Sequence, residues 1–251
     1  MFRNVTIATS LLLVALVSAS EPQNESETRE RSFATERAAM VETIRREVRA
    51  TSSYLGRGTL ERSVLGALAA VPRHRFVPEK LAGSAYDNRP LAIGHGQTIS
   101  QPYIVAIMTD LLDLDSDDRV LEVGTGSGYQ AAILGEIVGS VFTMEIVAPL
   151  AKRSTALLGE LGYDNVETRL GDGYHGWPKE APFDAIIVTA AATHVPPPLL
   201  QQLAAPGRMM IPVGSRFMVQ QLVLVTKSAQ GEITLDQVLP VRFVPLTGDH
   251  D

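Results

Sequence analysis

From Arg119 onward, short apolar runs alternate with helical stretches, and this alternation leaves few folds open to the chain. Apolar runs that predict buried strands occupy 119–123, 141–145, 165–170 and 184–190. Predicted helices between them occupy 129–138, 148–162 and 197–205. Such an order predicts a parallel sheet covered by helices on both faces. Three β-rich runs then follow without an intervening helix, at 208–213, 217–226 and 233–244, so we expect the sheet to end in antiparallel strands.

The region before the sheet is predicted to be helical and then irregular. Ala38, Val41, Ile44 and Val48 recur at helical spacing, and further helices are predicted after Thr59 and from about Pro102. The segment 73–101 has no clear period and is expected to be a largely irregular, functional loop. Residues 20–33 are polar and Glu-rich, which predicts a disordered linker.

The N-terminal 19 residues have the layout of a secretory signal peptide. Arg3 precedes an apolar stretch that is densest at 11–17, and Val-Ser-Ala at 17–19 is a small-residue cleavage site. The stretch is too short for a comfortable membrane span. An apolar N-terminal helix, or a misassigned start codon, is the alternative interpretation.

Composition excludes several classes of site. The chain has no cysteine, which rules out disulfides, thiolate zinc sites and a cysteine nucleophile. The five histidines show no metal-ligand spacing, so no metal is expected. A formal net charge of −6 argues against a dedicated nucleic-acid binder, because such proteins neutralise phosphates with a basic face.

A glycine-rich turn follows the first predicted strand of the sheet. Gly124, Thr125, Gly126 and Gly128 lie between that strand and a helix, where missing side chains let the backbone approach a ligand. A dinucleotide fingerprint would need its third glycine at the position of Tyr129, so the turn departs from that pattern.

Three acids at successive strand ends narrow the choice of ligand. Glu122 would repel a pyrophosphate but suits the amino group of a methionine moiety, and Glu145 can accept from both ribose hydroxyls. Asp172, beside Gly173, can accept from an adenine amino group. Ligands of open α/β sheets sit at these strand ends. The pattern therefore favours S-adenosylmethionine, with NAD as the second choice and a cofactor-free binding protein as the third. Taken singly, Glu145 and Asp172 could instead be helix caps or solvated acids.

These features predict an α/β fold: a doubly wound, mostly parallel, Rossmann-like sheet of the S-adenosylmethionine methyltransferase type. An N-terminal helical extension and a C-terminal antiparallel β section complete it. We expect one methyltransferase domain over 34–251. Its predicted parts are a helical and lid region at 34–113, a cofactor-binding core at 119–205 and a β-rich, substrate-side section at 206–246.

From Leu55 to Leu246 the chain resembles the protein-L-isoaspartate O-methyltransferase family. The most particular segment is Gly-His-Gly-Gln-Thr-Ile-Ser-Gln-Pro-Tyr at 94–103. Further matching segments lie at 70–77, 120–130, 171–173, 183–191, 212–214 and 241–246. The resemblance implies methyl transfer from S-adenosylmethionine to the free α-carboxylate of L-isoaspartyl residues, which starts repair through a succinimide. Activity on D-aspartyl residues stays open, and methylation of another carboxylate or small molecule is the alternative function.

The resemblance also implies roles for particular residues. Ser100 matches the family's active-site serine, although it could also cap the helix that starts near Pro102. Thr98 and Ile99 are expected at the cofactor, and Gln101 at the substrate. Pro212, Val213 and Gly214 are expected to give backbone contacts to the substrate peptide.

Location and assembly are predicted less directly. The family resemblance places the enzyme in the cytoplasm, where its cofactor is made, whereas the signal-like segment implies export to the periplasm. We expect a monomer whose partners are isoaspartyl peptides and proteins, with no nucleic acid and no stable membrane span.

Overall fold

The computed structural model describes residues 21–215 and 217–248, with side chains from residue 27 onward, so the signal-like segment 1–19 lies outside the described residues. The N-terminal part contains the helices α1 (Glu21–Ala50), α2 (Ser52–Leu55) and α3 (Arg62–Ala70). Two 3-10 turns follow at Arg73–Phe76 and Glu79–Ser84. The short strands β1 (Leu91–Gly94) and β2 (Gln97–Ile99) then lead into helix α4 (Pro102–Asp110).

The prediction of a disordered linker at 20–33 is wrong for residues 21–33, which form the first part of α1. The reason is a tertiary contact: Phe33 is buried and stacks on His74 with ring centroids 4.0 Å apart. Farther along, Ile44 and Val48 are fully buried on the same helix, as their spacing predicts. Although α1 has 30 residues, no helix in the described part of the chain is both long and apolar enough to cross a membrane.

The segment 73–101 is more ordered than predicted. Besides the two 3-10 turns, it contains an antiparallel pairing of β1 with β2, in which Leu91 lies opposite Ile99. The turn between these strands uses left-handed backbone at Gly94, His95 and Gly96. Strands of three and four residues are too short to show a sequence period, so this hairpin was not predicted.

The central sheet has seven strands. In chain order these are β3 (Arg119–Val123), β4 (Ser140–Glu145), β5 (Val166–Leu170), β6 (Phe183–Val188), β7 (Leu203–Val213), β8 (Gln220–Lys227) and β9 (Ile233–Val241). Their spatial order is β5-β4-β3-β6-β7-β8-β9. The first five in that order pair in parallel, and β7-β8 and β8-β9 pair antiparallel, which confirms the predicted fold class.

Three further helices connect the parallel strands: α5 (Tyr129–Gly135), α6 (Ala148–Glu160) and α7 (Pro197–Gln202). The last is shorter than predicted because Leu203 already pairs with Phe183 as the start of β7. Between β3 and β6 the order of strands reverses, since β4 and β5 lie on one side of β3 and β6 and β7 on the other. Ligands of open α/β sheets bind outside the carboxyl ends of the strands at such a point.

Alternate side chains of the parallel strands enter two different cores. On β3, Val120 packs on the face covered by α1, α4 and α5, whereas Leu121 and Val123 pack on the opposite face. The central strands are therefore buried on both faces, as their continuous apolar runs predict. Glu122 shares the face of Val120, so its carboxylate enters the interior of the protein.

Candidate active site

The glycine loop after β3 is held by the neighbouring strand. The amides of Gly124 and Thr125 both donate to the Met144 carbonyl at 2.8 and 3.0 Å. Gly124 has φ of 98°, and a Cβ placed there would collide with the hydroxyl of Thr189. That hydroxyl donates to the Gly124 carbonyl at 2.6 Å, so the loop and the end of β6 are locked together. Only glycine fits this position without strain.

Glu145 ties the loop to the end of β4. One carboxylate oxygen accepts from the Gly126 amide at 2.7 Å, and the other accepts from the Val147 amide at 2.8 Å. The residue is 6% exposed. Each oxygen keeps a further lone pair, since a carboxylate can accept about four hydrogen bonds. Glu145 is thus placed to shape the loop and still to accept from a ligand hydroxyl.

Glu122 is the most unusual ionisable group of the site. It is fully buried, and its Oε2 accepts from the Thr143 hydroxyl at 2.6 Å, which in turn lies 2.6 Å from the Thr125 hydroxyl. Among the described residues, its Oε1 has no hydrogen-bond partner. Removal from water raises the pKa of Glu122 from 4.5 to about 8. The carboxyl is therefore mostly protonated at neutral pH until a cation reaches Oε1.

Asp172 and Gly173 follow β5 and have different surroundings. Asp172 is half-buried and caps the 3-10 turn Gly173–His175, accepting from the Tyr174 amide at 2.9 Å. Gly173 packs so closely on β3 that a Cβ would collide with the side chain of Val123. The capping role that was one interpretation of Asp172 is therefore present.

Two small cavities lie along the glycine loop and share Thr98, Gly124, Gly126 and Thr189. One, of about 30 Å³, is lined also by Ile99, Glu122 and Thr125. The other, of about 50 Å³, is lined also by Glu145 and Gly173. Of the predicted cofactor residues, Gly128 and Asp172 do not line either cavity; Gly128 packs against Ser154 and Leu158 of α6 instead. The remaining predicted cofactor residues are brought together.

A much larger cavity, of about 470 Å³, adjoins the first. Thr98, Ser100 and Thr189 line both it and the 30 Å³ cavity beside Glu122, so the two spaces meet at these residues. Gln101 lines the larger cavity as predicted. Its other walls come from α1, α4, Val219 before β8, and the end of β9 with the residues that follow it. We refer to it below as the acceptor cavity.

Ser100 is held in place from behind by Arg73. The guanidinium of Arg73 is fully buried, donates to the Ser100 carbonyl at 2.7 Å, and lies 4.7 Å from the ring centroid of Tyr129. Burial lowers the pKa of Arg73 to about 10, so it remains charged at neutral pH.

The helix α4 has Gln101 at its N-cap without a side-chain bond, so the interpretation of Ser100 as a helix cap is wrong. Among the described residues, the Ser100 hydroxyl makes no hydrogen bond.

Pro212, Val213 and Gly214, which were predicted to contact the substrate peptide, lie outside the cavities. These residues end β7, where the Pro212 carbonyl accepts from the Ala192 amide at 3.0 Å and the Gly214 amide donates to the Ala192 carbonyl at 2.9 Å. They line none of the three cavities described above. Their part in substrate binding stays a prediction.

Four residues that the structure places at the site were not predicted from the sequence. Thr189 joins all three cavities, and Arg73 holds Ser100. Both lie in segments that resemble the family, which was the available signal. Glu47 of α1 and Arg242 after β9 line the acceptor cavity. Arg242 lies in the matching segment 241–246 and Glu47 lies outside all matching segments, but no sequence pattern gave either residue a role at the site.

Comparison with known proteins agrees with this geometry. The family model described as protein-L-isoaspartate(D-aspartate) O-methyltransferase matches residues 53–251. Protein-L-isoaspartate O-methyltransferase 2 of Syntrophobacter fumaroxidans is 60% identical over 214 residues, which cover 85% of this chain and 87% of that protein. The protein of the same name from Polaromonas sp. is 57% identical over 211 residues, 84% of this chain and 100% of that one.

Solved structures give the same result. A protein-L-isoaspartate O-methyltransferase superposes with a TM-score of 0.70 at 28% identity, over 81% of this chain and 66% of that chain. A Plasmodium falciparum structure named as this enzyme, in complex with S-adenosyl-L-homocysteine, also gives 0.70, at 26% identity over 83% of this chain and 97% of that chain. The chain therefore belongs to the protein-L-isoaspartate (D-aspartate) O-methyltransferase family.

Proposed function

We propose that this chain methylates the free α-carboxylate of L-isoaspartyl residues, with S-adenosylmethionine as methyl donor, and so starts their repair through a succinimide. As a member of its family, the chain is an S-adenosylmethionine-dependent methyltransferase that acts on isoaspartyl residues in damaged proteins. One observation carries the assignment of roles: the acceptor cavity meets the cavity beside Glu122 at Thr98, Ser100 and Thr189.

The residues around the glycine loop fit the cofactor. The unpartnered Oε1 of Glu122 suits the ammonium group of the methionine moiety, because a buried carboxylate needs a cation beside it. The open backbone at Gly124 and Gly126 lets the nucleoside approach closely. Glu145 keeps acceptor capacity for the ribose hydroxyls, because each of its oxygens accepts only one amide hydrogen bond. Asp172, after the next strand, is proposed to accept from the adenine amino group. Among the described residues, no basic side chain lines the two cavities along the loop, and this lining together with the three acids disfavours the pyrophosphate of NAD.

Ser100 is the proposed catalytic residue. Its hydroxyl can donate to one oxygen of the acceptor carboxylate, which leaves the other oxygen to attack. When bound, the cofactor supplies a methyl group on a cationic sulfur; the O–CH₃ bond forms as the S–CH₃ bond breaks, and the electron pair stays on sulfur. A carboxylate is already ionised at neutral pH, so the site needs no general base.

The acceptor cavity favours this attack. Several of its walls are apolar, among them Ile104, Leu239 and Phe243, and they keep water from the carboxylate. The chain's main contribution is then alignment of the two reacting groups in a water-poor space. Gln101 lines the same cavity and is proposed to contact the peptide. Pro212, Val213 and Gly214, which line none of the three cavities, are proposed to give further backbone contacts to the peptide.

Transfer of labelled methyl to a synthetic isoaspartyl peptide tests the proposal, with the otherwise identical aspartyl peptide as control. We expect labelling of the isoaspartyl peptide alone, released by mild base as methanol because the product is an ester. Equal labelling of both peptides, or transfer only to a free small acid, would support the alternative of another carboxylate acceptor. A D-aspartyl peptide in the same assay decides whether that residue is a second substrate.

The cofactor site is tested separately by calorimetry. We expect Glu145→Ala to weaken binding of S-adenosylmethionine by roughly 1–3 kcal/mol, through lost charge-assisted hydrogen bonds and a loosened glycine loop. Glu136→Ala is the matched control, since that exposed carboxylate accepts from the Tyr163 hydroxyl at 3.0 Å and lines neither cavity along the glycine loop. Unchanged affinity in Glu145→Ala would remove this residue from the site, and tighter binding of NAD would contradict the whole assignment.

Location and assembly are proposed from the sequence. The family favours the cytoplasm and the signal-like segment favours the periplasm, and N-terminal sequencing of the protein from fractionated cells distinguishes them. A mature chain that starts near Ser20 in the periplasm supports export, whereas Met1 or Met40 at the terminus in the cytoplasm supports the family location. We propose a monomer, which light scattering of the purified protein tests.

A further inference from the structure

The acceptor cavity contains two charged side chains that the proposed reaction does not use. Among the described residues that line it, Glu47 and Arg242 are the only charged ones. Glu47 lies near the end of α1 and is half-buried, and Arg242 directly follows β9 and is exposed at the cavity. The same cavity is lined by Ser100, so both charges belong to the space in which the acceptor is proposed to bind.

Neither charge is satisfied within the protein. In the part of the chain that the structure describes, the Glu47 carboxylate and the Arg242 guanidinium form no ion pair and no hydrogen bond. Other surface charges near them do pair, such as Arg45 with Glu42 at 3.2 Å on the same helix. Glu47 and Arg242 therefore keep their full attraction for charges on a ligand that enters the cavity.

The position of Glu47 is fixed by the helix that carries it. Ile44 and Val48, on either side of it, are fully buried. The Thr51 hydroxyl donates to the Glu47 carbonyl at 2.8 Å and lies 2.7 Å from the hydroxyl of Tyr103, on the helix that follows Ser100. Burial, and to a smaller extent the negative charge of Glu47, raise the pKa of Tyr103. The carboxylate is thus held close to the Ser100 segment.

The cavity is large enough for more than the modified residue. Its volume of about 470 Å³ falls in the range of roughly 300–1,000 Å³ that holds drug-sized ligands. Val219 lines it and is itself half exposed, next to the exposed Phe217 and Met218, so the cavity opens at the turn between β7 and β8. A polypeptide can therefore enter with the residues that flank its isoaspartate.

We infer that Glu47 and Arg242 determine which charged residues next to an isoaspartate are accepted, with Glu47 favouring basic neighbours and Arg242 favouring acidic ones. This inference rests on the proposed function. The helix that carries Glu47 precedes residues 53–251, which the family model matches. The basic preference is therefore contributed by the N-terminal helix and not by the matched part of the chain.

Three isoaspartyl peptides test the inference. They are identical except that both neighbours of the isoaspartate are lysine, glutamate or alanine, and kcat/KM is measured for each at low salt. Relative to the alanine peptide, we expect Glu47→Gln to lower the preference for the lysine peptide by about two- to fivefold, the effect of a partly exposed charge pair. Arg242→Gln should lower the preference for the glutamate peptide by a similar factor. High salt should weaken both preferences in the unaltered protein.

Glu42→Gln and Arg45→Gln are the matched controls, because this exposed pair lies on α1 and does not line the cavity. They should leave the ratios among the three peptides unchanged. If Glu47→Gln and Arg242→Gln also leave the ratios unchanged, or lower transfer to all three peptides equally, the inference is overturned. Failure of the unaltered protein to methylate even the alanine peptide would instead overturn the proposed function, together with the inference.

Discussion

The cofactor side of the site is built from consecutive strand ends, whereas the acceptor cavity is assembled from segments far apart in the chain. Glu122 lies in β3, Glu145 ends β4 and Gly173 follows β5, and these three strands lie next to one another in the sheet. Amides of the glycine loop donate to the Glu145 carboxylate and to the Met144 carbonyl. The acceptor cavity draws Glu47 from the N-terminal helix and Arg242 from near the C-terminus. Its polar groups have few bonds within the protein.

This difference has a physical consequence. On the cofactor side, a buried acid and left-handed glycines lower the free energy of unfolding. Substitutions there should therefore change folding stability and cofactor binding together. On the acceptor side, side chains project into an open space, so substitutions should change transfer or specificity while the fold persists. The following four predictions test that contrast.

The largest effect is expected from Glu122→Gln. In the unfolded chain this carboxyl ionises near its ordinary pKa of 4.5, but in the folded protein its pKa is about 8. Between these values the folded state binds the additional proton, so stability should fall as pH rises from 4.5 to 8 and level off above 8. At pH 9 the ionised, buried carboxylate costs on the order of 5 kcal/mol of unfolding free energy, and the glutamine substitution removes this cost. Urea unfolding of both proteins from pH 5 to pH 9 measures it.

Glu79→Gln, at an exposed position, serves as the control, and its free energy of unfolding should change with pH in the same way as that of the unaltered protein. The glutamine at 122 should also weaken cofactor binding at every pH, because it cannot become an anion. Parallel stability curves for Glu122→Gln and the unaltered protein would mean that this acid ionises normally in the fold.

Gly124→Ala comes next. Its φ of 98° is strained for any L side chain, and the added methyl would collide with the Thr189 hydroxyl. We expect a loss of about 2–4 kcal/mol in unfolding free energy, from backbone strain and overpacking together, with weaker cofactor binding. Gly159→Ala is the control: it lies in α6 with no atom near its Cβ position, and should be neutral or stabilising by up to about 1 kcal/mol. Equal stability of the two variants would contradict the close contact between Gly124 and the Thr189 hydroxyl.

Ser100→Ala examines the acceptor side. The lost hydrogen bond to the carboxylate should lower the rate of methyl transfer about 10- to 100-fold, whereas cofactor affinity and stability should change little. Single-turnover kinetics and calorimetry measure the two quantities, with Ser63→Ala on the exposed surface of α3 as control. Transfer at full rate would remove Ser100 from catalysis. A similar loss of cofactor affinity would show that the cofactor side and the acceptor side of the site do not act independently.

The smallest effect is expected from Thr51→Val. This residue directly follows α1, and the substitution removes its hydrogen bonds to the Tyr103 hydroxyl of α4 and to the Glu47 carbonyl of α1. The loss should be about 0.5–1.5 kcal/mol in unfolding free energy, and the KM for an isoaspartyl peptide should rise more than the Kd for the cofactor. Thr35→Val removes only a bond within the same helix, to the Arg31 carbonyl, and is the control. If both variants behave alike, the contact between α1 and α4 does not support the acceptor cavity.

Local patterns predicted much of the molecule. The parallel strands with their antiparallel end, the glycine loop and the acids near the ends of β3, β4 and β5 follow from apolar periodicity and from residues adjacent to it. They could be predicted because each signal lies within one supersecondary unit, and parallel strands necessarily bring their carboxyl ends to one edge. The resemblance of 94–103 to a known family then indicated Ser100, which no local physical signal distinguishes from an ordinary serine.

Other features were decided only when distant segments packed together. Residues 21–33 are helical because Phe33 stacks on His74, about 40 positions later. Ser100 is positioned by Arg73, whose burial depends on Tyr129 beneath it. Glu47 and Arg242 share one cavity although 194 intervening residues separate them in the chain. The sequence by itself determined the sheet, the cofactor loop and its acids, since short-range patterns specify them. The tertiary structure alone decided the walls and charges of the acceptor cavity, because these arise from contacts between side chains that carry no joint signal along the chain.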